Sequence, residues 1–354
     1  MSGILEEAYQ RFHATGPEFD GALSNHGPMA VEAMVRHGHE REVHAWIDWY
    51  GARLDEPPRG LNPVTGENWR EALGDRKRAM DWIAYMQREV RLRPWRDLLA
   101  EWWPRLLPGI VGGATHGVIR VGHCVRALLA EEPSQEISAG PRLEEFAHAL
   151  GYWAALAKPL EVATPPRSGD AAAASALAAV PSVANQSISI GYRMSQLGET
   201  PGWSAAFEAL RTPGTPEQAA DLLAAVADAA VRDYLRRGQG NPVMLVHAST
   251  APNAVLRTLP ALPKRLWIPS LDAAWLATAA VTAAYRNTEA PAADVAAAIA
   301  QTGNAQETFD RAVRHRDEHA VKFADAALDS FERTADKEAL AAATRATLMI
   351  QAAA

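Results

Sequence analysis

At 354 residues, 48% of them hydrophobic and 22% charged, the chain has ordinary globular composition and enough apolar material for a substantial core. Its formal charge is −7 and no Lys/Arg-rich run is present, so nucleic acid is not an expected partner. Cys124 is the only cysteine, which rules out an intrachain disulfide and suits a reducing compartment. No basic-then-apolar leader opens the chain, and no apolar run approaches the ~20 residues of a spanning helix, so a soluble cytoplasmic protein without a membrane partner is expected.

Helical patterns follow one another from the start, and strand alternation does not recur. An amphipathic helix is predicted over 4–14. "GPMAVEAMVRHG" begins with Pro28 in a first-turn position and stops at Gly38. Helices are then expected over 43–54, 68–75, 79–90, 95–107, 113–131 and 142–157, separated by Pro or Gly. From 160 the composition turns to Ala, Pro and Ser, and 161–182 reads as a loop or a weakly packed surface helix. Further helices are expected over 217–236, 242–250, 271–287, 291–301, 304–331 and 336–353. The fold expected is all-α: one bundle-like domain over 1–354 with a central metal site and a soft joint near 160–185.

"GIVGGATHG" (109–117) lacks the G-x-G-x-x-G spacing and no strand precedes it. With no P-loop, no G-x-S-x-G and no CxxC either, neither a Rossmann-type domain nor a bound flavin is expected. Trp102–Trp103 and the other nine tryptophans could line an aromatic pocket, but core packing is expected for most of them. Histidines are more informative. His13, His148 and His315 stand among charged neighbours and read as surface residues, while His37, His39 and His44 belong to a polar turn. Four others sit in unusual settings: His26 in "SNHGPM", His116 among the small residues of "GGATHGVIR", His247 closing the apolar run of "VMLVHAST", and His319 at the edge of a charged stripe. A lone histidine of this kind is more often a hydrogen-bonded core residue. Four in a helical chain suggest a bundle metal site. His315 and His319 have the i,i+4 spacing of a ligand pair, whereas His123 lies two turns or ~10 Å beyond His116, too far to share its metal, and is expected behind a ligand or in the core.

The stripe on "DEHAVKFADAAL" comprises Glu318, Lys322, Asp325, Asp329 and Glu332, opposite an apolar face of Ala320, Phe323, Ala324, Ala327 and Phe331. Periodicity alone reads it as a solvated face in which Glu318 pairs with Lys322 four residues on.

Taken in order and spacing, "LSNHGPMAVEAMVRHG", "ATHGVIRVGHCVRAL", "VMLVHAST" and "RDEHAVKFADAAL" resemble the questin oxidase-like family over residues 4–330 or so. That family contains Baeyer–Villiger-type and anthraquinone ring-opening oxidases of aromatic polyketide pathways. The stretch 161–218 carries none of its motifs. The resemblance implies a helical fold and a mononuclear non-haem Fe(II) held by His26, His116, His247 and His319, with Lys322 carboxylated as a further ligand and with Lys322 and His319 at the reaction centre. It implies O₂ and a small aromatic polyketide as substrates. NADPH is an optional co-substrate, no nicotinamide motif being visible. Two rivals stand beside this reading: a metal-assisted hydrolase or hydratase on the same histidines, and a non-catalytic helical protein holding an aromatic metabolite.

Overall fold

The structure is a computed structural model that describes residues 3–131, 139–162, 165–187 and 189–352. Residues 163–164 of the Ala/Pro/Ser stretch, and Ala353 at the end of the last predicted helix, lie outside the described residues. The fold is all-α. A two-stranded antiparallel sheet joins Glu18–Phe19 to Leu23–Ser24, and two isolated parallel bridges pair Gly169 with Arg211 and Ala171 with Leu210. The chain divides into two compact units, Met1–Pro159 with Arg257–Pro269, and Leu160–Leu256 with Ser270–Ala354.

The first unit contains α1 (Gly3–His13), α2 (Gly27–Arg36), α3 (Glu40–Gly51), α4 (Trp69–Ala72), α5 (Ala79–Leu92), α6 (Trp95–Leu106), α7 (His116–Glu131) and α8 (Pro141–Leu156). Pro28 lies in the first turn of α2, and Gly38, at φ +80°, takes the left-handed conformation that ends it. Helix α8 is the centre of this unit and packs on α1, α5 and α7. Gly151 permits the contact with α5, since a Cβ there would lie 2.7 Å from the Ile83 backbone. Trp82, Trp102, Trp103 and Trp153 fill the core, as expected for tryptophan. The predicted helix 68–75 shortens to the single turn α4.

The second unit contains α9 (Ala173–Ala179), α10 (Ile190–Ser195), α11 (Trp203–Ala209), α12 (Pro216–Arg237), α13 (Pro242–Leu245), α14 (His247–Thr258), α15 (Trp267–Tyr285), α16 (Ala292–Ala300), α17 (Ala305–His315), α18 (Glu318–Thr334) and α19 (Lys337–Met349); the last residues of α14 and the first of α15 belong to the first unit. Helix α19 packs on α12, α16, α17 and α18. Three expectations are corrected here. The stretch 161–182 includes α9, whose Ala173, Ala176 and Leu177 are buried and which packs on α12. The run 242–250 is two helices meeting at Val246. The run 304–331 is also two, because Arg316 adopts φ +67° and Asp317 caps the next helix by accepting from the amides of His319 at 2.8 Å and Ala320 at 3.1 Å. A fourth correction concerns apolar runs. Lys264–Tyr285 is long and apolar enough to cross a membrane, and 67% of its most apolar window is buried inside the structure, as in a core helix.

Candidate functional site

Both units bury histidines whose ring nitrogens could hold a metal ion. In the first unit, every residue of "SNHG" is fixed. The Ser24 hydroxyl bonds the Tyr152 hydroxyl at 2.6 Å, and Asn25 donates to Thr15 Oγ1 and the Gly16 carbonyl. The His26 amide donates to the Tyr50 hydroxyl at 2.7 Å. Gly27 must be glycine, because a Cβ would sit 2.4 Å from the Phe12 ring. His26 Nε2 thereby meets His116 Nε2 at 2.7 Å, with the rings edge to face.

His116 is presented by an unusual turn. Gly113, Ala114 and Thr115 all have positive φ, at 55°, 54° and 67°. The cause is close packing against the end of α8. A Cβ on Gly112 would lie 1.9 Å from the Leu156 carbonyl oxygen, and one on Gly117 would lie 2.5 Å from Trp153. The turn aims the Gly113 carbonyl at the ring, and His116 Nδ1–H donates to it at 2.6 Å. That bond fixes the tautomer and leaves the lone pair on Nε2, the nitrogen facing His26.

In the second unit His247 is the first residue of α14 and wholly buried. Its Nδ1–H donates to the Met244 carbonyl at 3.1 Å, again three residues upstream, and again the lone pair is left on Nε2. The His319 ring lies 5.7 Å from that of His247, centre to centre. Asp317, Glu318 and His319 place donor atoms within 4.8 Å of one another. Burial works to raise the Asp317 carboxyl, but the hydrogen bond and charge of His319 outweigh it and hold it below its ordinary range.

The stripe on α18 is not a solvated face. Glu318, Lys322, Asp325 and Asp329 are all buried, and only Glu332 is exposed. Asp329 accepts from Asn253 at 2.9 Å. Lys322 is 1% exposed, and its Nζ has neither a hydrogen bond nor an ion pair among the described residues. The expected Glu318–Lys322 surface pair is therefore absent. Burial pushes the Lys322 ammonium down to about 7 against the opposing pull of Glu318 and Asp317.

The other histidines separate cleanly. His315 and His319 do not share a face, because the chain breaks between them, and His315 Nε2–H donates to the Ile350 carbonyl at 3.1 Å. His13 and His148 are not surface residues. Their rings stack at 4.1 Å, and His13 bonds the buried Glu145 at 2.8 Å, which also takes a two-pronged bond from Arg120. His123, two turns past His116, is buried and bonded to Glu32 at 2.6 Å. Glu32 escaped the sequence reading, although a single carboxylate within the apolar run "GPMAVEAMV" was a visible signal. Thr115 escaped it too; its buried hydroxyl has no hydrogen-bond partner among the described residues. Comparison with known proteins finds no family that matches the chain and no curated protein similar to it.

Proposed function

We propose that the chain is a cytoplasmic, non-haem iron-dependent oxidoreductase that inserts oxygen beside a quinone or ketone carbonyl of an aromatic polyketide, as the family it resembles does. His26, His116, His247 and His319, whose ring nitrogens lie within 4.8 Å of one another, would be the imidazole ligands of one iron. Lys322 would complete the set as a carbamate on Nζ.

The observation that carries this reading is Lys322, a lysine buried without an acceptor. A buried ammonium in that position is costly, and the depressed pKa supplies the neutral amine instead. A neutral amine adds to CO₂: Nζ bonds to the carbon, one N–H proton leaves, and an anionic oxygen donor results. Four neutral imidazoles otherwise leave the dication's charge uncompensated. Metal binding draws the equilibrium toward the deprotonated ligand by linkage. Bound iron would supply O₂ activation, which no side chain performs. The chain's own part is to hold the His116 and His247 lone pairs on Nε2 and to keep water from the buried rings. A Baeyer–Villiger outcome places one oxygen atom in product and the other in water, which requires two electrons; NADPH is the donor assigned to that outcome. Ring opening that retains both atoms requires none.

The test is elemental analysis and O₂ consumption on anaerobically purified protein with a hydroxyanthraquinone. Alanine at His26, His116, His247 or His319 is expected to lower bound iron, while exposed His44→Ala is not. Lys322→Ala is expected to abolish turnover, and the native protein to carry the mass of one CO₂ on Lys322. Zinc with no O₂ uptake would favour hydrolysis on the same ligands. Full iron in all four histidine variants would refute the ligand assignment.

A further inference from the structure

Helix α2, with His26 just before its first residue, meets α7 through polar contacts at two levels. One is His26 to His116, at 2.7 Å between Nε2 atoms. The other is His123 Nδ1–H donating to Glu32 Oε2 at 2.6 Å. Glu32 follows His26 by six residues and His123 follows His116 by seven, advances of about 9 and 10 Å at 1.5 Å per residue. The order is the same on both helices, so they run parallel and the contacts form two rungs of one ladder. A single rung lets a helix roll and slide about the contact. A second rung ~10 Å away removes both freedoms.

The lower rung is built to be stiff. Glu32 and His123 are 4% and 2% exposed, and the Glu32 carboxylate is hydrogen-bonded and ion-paired to His123 and Arg126 of α7. Oε1 accepts from Arg126 Nε at 2.9 Å, and Oε2 accepts from Arg126 as well as from His123. All three donors come from one turn of α7, so the carboxylate has a single orientation relative to that helix.

We propose that Glu32 and His123 are positioning residues that set the spacing and angle of His26 and His116 for metal binding. This inference rests on the metal-binding reading above. Ligand nitrogens have to converge within a few tenths of an ångström for full affinity, and loss of an outer partner of this kind typically costs 10–100-fold.

The experiment is anaerobic titration of metal-free, full-length protein with Co²⁺, followed by visible absorption, with far-UV circular dichroism to verify folding. Glu32→Gln and His123→Leu are each expected to weaken Co²⁺ binding about 10–100-fold. The double variant should be no weaker than the worse single one, since the two side chains form one unit. His123→Asn retains an N–H near the Nδ1 position and is expected to recover most of the affinity. A merely structural role would lower the melting temperature of the variants while leaving Co²⁺ affinity, measured well below melting, within about twofold of wild type; that result overturns the proposal. If Glu32→Gln does not fold, equal affinities in His123→Leu and His123→Asn overturn it instead. Failure of the metal-binding reading is distinguishable, because wild-type binding would then be insensitive to His26→Ala.

Discussion

His148 stacks on His13 at 4.1 Å, with Gln87 donating to its Nε2 at 3.2 Å. Burial, then the neighbouring charge of His13, push its pKa down to about 3, against the pull of Glu145. In the unfolded chain it titrates near ~6.5. Between those values the unfolded state binds a proton that the native state refuses, so the stability present above pH 6.5 is lost progressively as pH falls toward 3. The urea midpoint is expected to drop from pH 7 to pH 5, a range above the titration of Glu32 and Glu145, and His148→Leu is expected to reduce that drop. An unchanged pH dependence in the variant would count against the assignment. Neighbouring positions in the turn before His116 should respond with opposite signs. Ala114 has φ 54°, where an L-residue costs roughly 1–2 kcal/mol, so Ala114→Gly is expected to stabilise by up to about 1 kcal/mol after glycine's greater unfolded-state entropy. Gly112→Ala would drive a Cβ into the Leu156 carbonyl and is expected to destabilise by more than about 3 kcal/mol. Denaturant melts of the two variants check both signs. "SNHG" and "GGATHG" were legible as unusual because glycine and histidine stood together. The burial of Lys322 was not legible from periodicity, because on α18 the charged and the apolar faces are both packed; only the family resemblance put it in the interior.

At the scale of elements, Pro and Gly punctuation located most helices, while a stop made by Arg316 in the left-handed region carried no such mark. That hidden stop has a chemical effect, since it places His319 in the first turn of α18 under the Asp317 cap and away from His315. The Ala/Pro/Ser stretch is secured by a residue far along the chain. Arg286, 7% exposed, donates to the carbonyls of Leu177, Ala178 and Val180 at the C-terminal end of α9, where the helix dipole favours a cation. The Arg286 carbonyl in turn accepts from Ser182 and Gln186. Burial lowers the guanidinium's pKa and Asp233 opposes it. Arg286→Met is expected to cost about 2–4 kcal/mol, since three carbonyls lose a charged donor, and to raise amide exchange first within 173–187. Uniform exchange across the chain would argue that the clamp is not local. Composition alone read this stretch as weakly held because the partner that pins it lies about a hundred residues away.

At the scale of the whole molecule, the all-α class was legible from periodicity, and the change of composition at 160 lies beside the boundary between Pro159 and Leu160. The return of 257–269 to the first unit was not legible, since it depends on contacts such as Arg96 to the Pro260 carbonyl and Arg257 to His123, both more than 130 residues apart. A fragment of residues 1–159 therefore lacks part of its own unit. It is expected to melt below the intact chain and with a broader transition by calorimetry, and to sharpen when 257–269 is joined to its end. The same connectivity orders events during synthesis. The ribosome releases the residues through Pro159 early, yet the unit holding His26 and His116 is incomplete until Pro269 has emerged, about 110 residues later. At roughly 5–20 residues per second that interval is on the order of 5–20 s, during which the nascent first unit exposes the surface meant for 257–269 to chaperones and proteases.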